Sequence, residues 1–503
     1  MSKLSSRFIV LLLAAISSAA IFAQQPLRPP GGATPLGGLV FHVRPEVTYQ
    51  TMTGFGAGFN ASTQAWFDAL TNKSDRDAAY RLLYGDDGTE LNIVRLTISP
   101  SAKPLAQPSP QGLHYDWAGD AGTQKTWEAI APALKGAHRK VTLYAVPFTP
   151  PVQWKTTDSP THGPLAAGGS LKSEHFKDYA EYLADFLDYQ HTVVGVDVDV
   201  LSLQNEPDVS APWPSCTWTA NALHDFLLVL APAVHARKLH PEFMLTEGTK
   251  WTSAWAMLQP TLNDQATEKL LGVLASHSYP PKPPNPAAQD EARTRMAGDA
   301  DKFHKPVWMS EMSLMIPPQL DDPHMPAGLA VAYYLHRDIV VGHASAWIYC
   351  FAIFTYNFKG SMGVLSPADN PQTMGQLVVP KRFWTMANYS RFVKPGWKLV
   401  QVGSTESVLN TAFISPDGRS WALVVVNTTD KPQVVTYEFS SPLQGAVEAF
   451  ATTEQLNLGQ VAAPSAQAHG ISATLQPSSV ITFTGRIEGA SPFPGGQLRG
   501  QQK

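Results

Sequence analysis

Between residues 53 and 358, short apolar runs rich in β-branched residues alternate with longer stretches of helical periodicity. The runs end near Phe55-Gly56, Val94-Arg95, Ala145 to Pro147, Leu203 to Glu206, Leu245 to Glu247, Ser276-His277, Met309 to Glu311 and Trp347 to Tyr349. Such repetition favours a parallel sheet, because each helix returns the chain to the start of the next strand. Eight units in about 310 residues predict a (β/α)8 barrel over residues 53–397, with an open doubly wound sheet as the other arrangement. In the barrel, chemistry sits at the C-terminal ends of the strands. The clearest helix runs from Phe176 to Gln190. Phe176, Tyr179, Ala180, Leu183, Phe186 and Leu187 lie on one face, with the acidic residues mostly elsewhere.

The flanks follow other rhythms. Residues 398–487 read as short alternating strands, such as Trp421 to Val426, separated by turn formers at Ser415-Pro416-Asp417-Gly418 and Asn427-Thr428-Thr429-Asp430. This predicts an all-β side domain, joined by an N-terminal strand within residues 38–52. Residues 1–23 carry Lys3 and Arg7, then an apolar run from Phe8 to Ala20, and read as a signal peptide cleaved near Ala23. An exported protein, secreted or periplasmic, is therefore expected. The Pro- and Gly-rich residues 24–37 read as a flexible leader, and residues 488–503 as a disordered tail. The N-terminal apolar run is short for a bilayer span and no later one is long enough, so no stable membrane insertion is expected.

With 44% hydrophobic and 16% charged residues, the chain has the make-up of a large globular core rather than a disordered polyelectrolyte. The formal charge of −4 and the absence of a basic stripe argue against a nucleic-acid partner. Two cysteines, Cys216 and Cys350, permit a disulfide without implying one. No CxxC or HExxH occurs, and the spacing of His224, His235 and His240 fits no common metal site. No G-x-S-x-G nucleophile elbow occurs either. Neither a metal nor a cofactor is expected, and a monomer is.

The chemistry points to two glutamates. Gln204-Asn205-Glu206-Pro207-Asp208 ends the fourth predicted strand, and Trp308-Met309-Ser310-Glu311 ends the seventh. A lone strand-end glutamate is usually solvated or ion-paired. Two of them at the rim of one barrel are the minimum equipment for glycosidic cleavage, one to protonate the departing oxygen and one to attack or to activate water. Glu206 suits the acid and Glu311 the nucleophile. Asn205 is placed to hold a sugar hydroxyl.

These stretches resemble glycoside hydrolase family 30, in the large clan of retaining (β/α)8 hydrolases. The Asn205-Glu206-Pro207 string resembles its acid/base segment, and Gly54-Phe55-Gly56 its opening motif. Pro150-Pro151-Val152-Gln153-Trp154-Lys155 resembles its Pro-Pro-x-Trp-Met-Lys segment, with Lys155 where Met usually stands. His277-Ser278-Tyr279 resembles its sixth-strand His-x-Tyr, and Tyr389 to Gly396 its link to the side domain. The resemblance implies a β-sandwich side domain built from both chain ends. It implies Glu206 as acid/base and Glu311 as nucleophile, with Arg95 and Tyr279 orienting the latter. Trp154 and Trp347 would stack on the sugar in the −1 site, and His277 would join the substrate-binding residues. Trp213 and Trp218, in a loop similar to those of xylanase-like members, are further stacking candidates. The family's glucuronoxylan-specific members pair a glucuronate with an arginine after the eighth strand, and residues 347–357 contain none. The implied substrate is a xylan-type or other plant β-glycan, with β-1,6-glucan, β-1,6-galactan and glucosylceramide as alternatives. A carbohydrate-binding protein without catalysis, or a structural envelope protein on the same fold, are the readings from other classes.

Overall fold

In the computed structural model, residues 38–157, 168–281, 284–314, 324–354, 362–368 and 372–489 are described. The leader and nearly all of the tail lie outside them. Eight parallel strands close into a barrel: Gly54–Phe59, Ile93–Ile98, Thr142–Pro147, Val200–Ser202, Glu242–Gly248, Leu271–His277, Val307–Met312 and Ala344–Tyr349. The first strand pairs with both the second and the eighth, which decides for the closed barrel over the open sheet. Its glycines permit that closure. A Cβ on Gly58 would stand 2.0 Å from the Cys350 carbonyl oxygen, and one on Gly56 would stand 2.6 Å from that of Ile93.

Alternation along each strand sends one set of side chains into the barrel and the other against the helices. Ile93, Tyr144, Val200, Met244, Val273 and Trp308 belong to a cluster that fills the lower interior. Their out-of-phase neighbours, such as Val94, Leu201, Leu245 and Met309, pack outward in the larger core. The helix Phe176–Tyr189 buries the expected face apart from half-buried Phe176, and it also buries Tyr182, Ala184, Asp185 and Tyr189. Asp185 is fully buried and accepts from the backbone N–H of His114 (2.8 Å) and Tyr115 (3.0 Å), from Trp117 Nε1 (3.0 Å) and from Arg237 (3.0 Å). Every lone pair it takes out of water finds a donor.

The side domain is one ten-stranded sheet that includes the N-terminal strand Leu39–Thr51. That strand runs antiparallel to Lys398–Val402 and parallel to Gln433–Phe439, so it sits in the middle of the sheet. The strand Ser420–Asn427 was expected to alternate, yet it is buried on both faces. Trp421, Leu423 and Val425 face the domain's own core, while Ala422, Val424 and Val426 join the barrel's core. A doubly covered strand reads as a continuous apolar run, as here. No helix among the described residues is long and apolar enough to cross a membrane.

Candidate active site

At the C-terminal mouth of the barrel five charged side chains come together: Arg95, Glu206, Glu247, His277 and Glu311. Arg95 is the second inward residue of its strand, one step above Ile93, and is 1% exposed. Its Nη1 meets Glu311 Oε2 at 2.7 Å, and an Nη2 N–H donates to Asn205 Oδ1. Its Nε donates to the Tyr144 hydroxyl at 3.3 Å. His277 continues the inward series of Val273 and Ala275 and is fully buried.

Glu311 reaches the same place through a bulge. Ala275 pairs with Trp308 and Ser276 with Met309, but His277 pairs with Glu311. Ser310 is thus the extra residue of a bulge, and with regular alternation through it Glu311 would point outward among the helices. Its Oε1 accepts the Tyr279 hydroxyl at 2.7 Å. Burial first, and nearby charges second, push the Tyr279 phenol far up, so it remains a donor.

Glu206 follows the short fourth strand in the left-handed region, φ +46°, and is 4% exposed. Such a conformation costs a non-glycine residue about 1–3 kcal/mol and is held only by its surroundings. Here Glu206 N–H donates to the Glu247 carbonyl (3.1 Å) and Asn205 N–H to that of Pro147 (2.9 Å). Asp208 locks the turn onto the next loop by accepting from Thr249 N (2.9 Å) and Oγ1 (2.6 Å).

Glu247 is a residue the sequence reading missed. It ends the fifth strand, is fully buried, and has φ +52°. Thr246 pairs with Ala275 and Gly248 with Ser276, so Glu247 is the extra residue of a second bulge. Its Oε1 accepts the Tyr144 hydroxyl and lies 3.5 Å from Arg95 Nη2 and 3.5 Å from His277 Nε2. The signal was available, since Leu245 to Glu247 is a third apolar strand ending in glutamate. Tyr144 was likewise hidden, as one of many aromatics in strand-like runs.

The electrostatics separate the three carboxyls. Burial raises Glu206, and the charges of Glu311 and Asp208 add to it, against the pull of the His277 hydrogen bond. Burial also raises Glu247, but Arg95 and His277 outweigh it and hold that carboxyl at about 2. Burial alone would lower His277. Glu311, Glu206 and Glu247 together push it up to about 10, so the ring is an imidazolium at neutral pH. Its Nδ1 lies 3.2 Å from Glu206 Oε1 and 3.9 Å from Glu311 Oε1. One donor atom from each of Glu206, His277 and Glu311 lies within 4.8 Å of the other two. A divalent ion could use that spacing, but His277 Nδ1 already hydrogen-bonds Glu206 Oε1 (3.2 Å), and a ligating imidazole must be neutral.

Six of the expected site residues therefore converge: Glu206, Glu311, Arg95, Asn205, His277 and Tyr279. Two tryptophans do not join them. Trp347 is 0% exposed and donates its Nε1–H to Asp338 at 3.0 Å. Ala346 and Ile348 are the inward residues of the eighth strand, so alternation turns Trp347 outward, and stacking on a sugar is corrected to a core role. Trp218, 8% exposed, donates to Gln204 Oε1 (3.2 Å) and packs on Phe176 and Phe226, which fastens the turn beneath Glu206 instead of facing solvent. Trp154 is half-buried, edge-on to Tyr182 (5.8 Å) and stacked with His175 (6.2 Å). Trp213 is the exposed aromatic of the fourth loop, at 39%. Lys155 is buried and donates to Thr149 Oγ1 (2.8 Å) and the Ser215 carbonyl (2.6 Å), tying the third loop to the fourth. Cys216 and Cys350 are both buried, free thiols.

Paired glutamates at the mouth of a (β/α)8 barrel, backed by a β-sandwich, define a glycoside hydrolase of the two-carboxylate kind. The particular family follows from comparison: residues 110–364 match the O-Glycosyl hydrolase family 30 model and residues 400–483 match the Glycosyl hydrolase family 30 beta sandwich domain. The chain belongs to glycoside hydrolase family 30. It is 24% identical over 446 residues to putative glucosylceramidase 1 of Caenorhabditis elegans, covering 82% of this chain and 80% of that one. It is 22% identical over 370 residues to glucuronoxylanase XynC of Bacillus subtilis (strain 168), covering 72% and 78%. Among solved structures, the catalytic domain of xylanase C from Talaromyces cellulolyticus shares the fold with a TM-score of 0.71 at 21% identity, over 89% of this chain and 100% of that one.

Proposed function

We propose that this hydrolase cleaves an external β-linked polysaccharide of the xylan type with retention of anomeric configuration. Glu311 acts as nucleophile and Glu206 as acid/base. The observation that carries this is the approach of a Glu206 and a Glu311 oxygen to within 4.8 Å. Retaining enzymes hold their carboxyls about 5–5.5 Å apart, whereas inverting ones leave about 6.5–9.5 Å for a water.

Charge bookkeeping supports the roles. In the free site Arg95 and His277 are positive, Glu247 and Glu311 negative, and a protonated Glu206 makes the cluster neutral. As Glu206 gives its proton to the departing oxygen, Glu311 becomes a neutral ester at the sugar carbon. The negative charge has moved from Glu311 to Glu206, and His277 faces both. The cluster is neutral before and after, which a site with so little water requires. In the second half-reaction Glu206 takes a proton from water, the water oxygen attacks the sugar carbon, and Glu311 leaves as carboxylate. Arg95 and Tyr279 hold its two oxygens in place throughout.

Export is supported by the signal-like residues 1–23, and an external polymer suits it. The test is a panel of xylan, glucuronoxylan, β-1,6-glucan, β-1,6-galactan and glucosylceramide, with the anomer released followed by proton NMR. Release of the β-anomer from xylan supports the proposal, and release of the α-anomer overturns retention. The putative glucosylceramidase covers more of this chain than the glucuronoxylanase does, so glucosylceramide cleavage is the second reading. The panel separates the two.

A pH effect follows from Glu206. Its raised carboxyl keeps its proton to higher pH than an ordinary glutamate, and activity is lost as pH rises through that value. The alkaline limb of kcat/KM is therefore expected above the usual carboxyl range. A limb at pH 4 to 5 would remove Glu206 as the acid.

A further inference from the structure

Resting on that reading of the site, we propose that Glu247 is a positioning residue: its fixed negative charge keeps His277 an imidazolium facing Glu206 and Glu311, and at the same time balances that positive charge, so that Glu206 keeps its proton until substrate arrives. Three observations carry it. Glu247 is wholly buried, so no water screens its charge. Three other strands turn a donor or cation toward it: Arg95 from the second, Tyr144 from the third and His277 from the sixth. It meets His277 on Nε2, the nitrogen opposite the one that faces the reacting carboxyls. A carboxylate behind one ring nitrogen is the usual device for fixing a histidine's proton and aim.

The groups around His277 are Glu206 from the fourth strand, Glu247 from the fifth, and Glu311 from the seventh. Glu206 and Glu311 exchange one negative charge during the reaction, so neither can be the constant counter-ion of the ring. Arg95 already faces Glu311 and Glu247 together. Of the three carboxylates, Glu247 alone keeps its charge at every step. Replacing it by glutamine gives the free site a net positive charge, which the site relieves by releasing a proton from His277 or from Glu206.

The experiment uses the full-length mature protein. With 15N-labelled histidine, and His277→Gln to assign the signal, the wild-type His277 resonance is expected to remain that of an imidazolium through pH 8. In Glu247→Gln its titration is expected to fall by at least one pH unit, and the alkaline limb of kcat/KM on xylan, or on whichever polymer of the panel is cleaved, is expected to move acidward by a similar amount. A purely structural role would lower kcat at all pH values and leave both midpoints in place, and that result overturns the proposal. A neutral wild-type His277 at pH 7.5 overturns it as well, whether or not the variant folds. The NMR arm needs no turnover, so loss of the retaining reading would leave this test standing. Failure of the NMR arm would leave the retaining reading intact.

Discussion

Glu311→Gln is expected to lower kcat on the cleaved polymer by at least about 10⁴-fold, because the covalent route vanishes with the nucleophile and the remaining parts of such a site do not act alone. Sugar affinity should change little, since the amide keeps the shape and still accepts from Tyr279. The two glutamates can then be told apart by shortening each and supplying azide. In Glu206→Ala the glycosyl-enzyme still forms on good leaving groups, and azide attacks it from the opposite face, giving the β-glycosyl azide. In Glu311→Ala azide takes the place of the missing carboxylate and gives the α-glycosyl azide. The opposite pattern would exchange the two roles. Full activity in Glu311→Gln would remove the site altogether, and binding without turnover in the wild type would favour the lectin-like alternative.

Arg95→Met is expected to cost about 3–5 kcal/mol of folding stability, the usual penalty for removing one partner of a buried ion pair. The magnitude is set by what remains: Glu247 and Glu311 both lose their cation inside the barrel, and Tyr144 and Asn205 lose a donor. Urea unfolding of the variant against wild type measures it, and a loss below about 1 kcal/mol would show that His277 alone neutralises the site. Arg95→Lys should recover only part, because one ammonium cannot reach Glu311, Asn205 and Tyr144 from a single nitrogen as the guanidinium fork does.

The barrel and most of its charged mouth were legible before any coordinates. Eight apolar runs separated by helices leave few topologies, and strand ends mark the rim. What escaped was phase. The bulge at Ser310 that turns Glu311 inward, and the one at Glu247, insert single residues that no hydrophobic pattern records. The same blindness misplaced Trp347, whose motif neighbours were well placed while its own position on the eighth strand faces the helices. Trp218 looked like a sugar platform because a tryptophan in a rim loop has the same composition whether it turns out or in. Its Nε1 bond to Gln204 decides the direction. The resemblance supplied the roles of Glu206 and Glu311, but Glu247 had to come from the register of its strand and the ring it faces.

The strand Leu39–Thr51 is synthesised well before its partners Lys398–Val402 and Gln433–Phe439, which follow about 350 residues later. At about 5–20 residues per second it waits roughly 20–70 s with both edges unpaired. During that interval the barrel can close, since the first barrel strand begins only at Gly54, but the side domain cannot. The side domain is thus fastened by a strand made long before the ones it joins. A nascent protein lacking that fastening would present two bare strand edges, an invitation to pair with another chain.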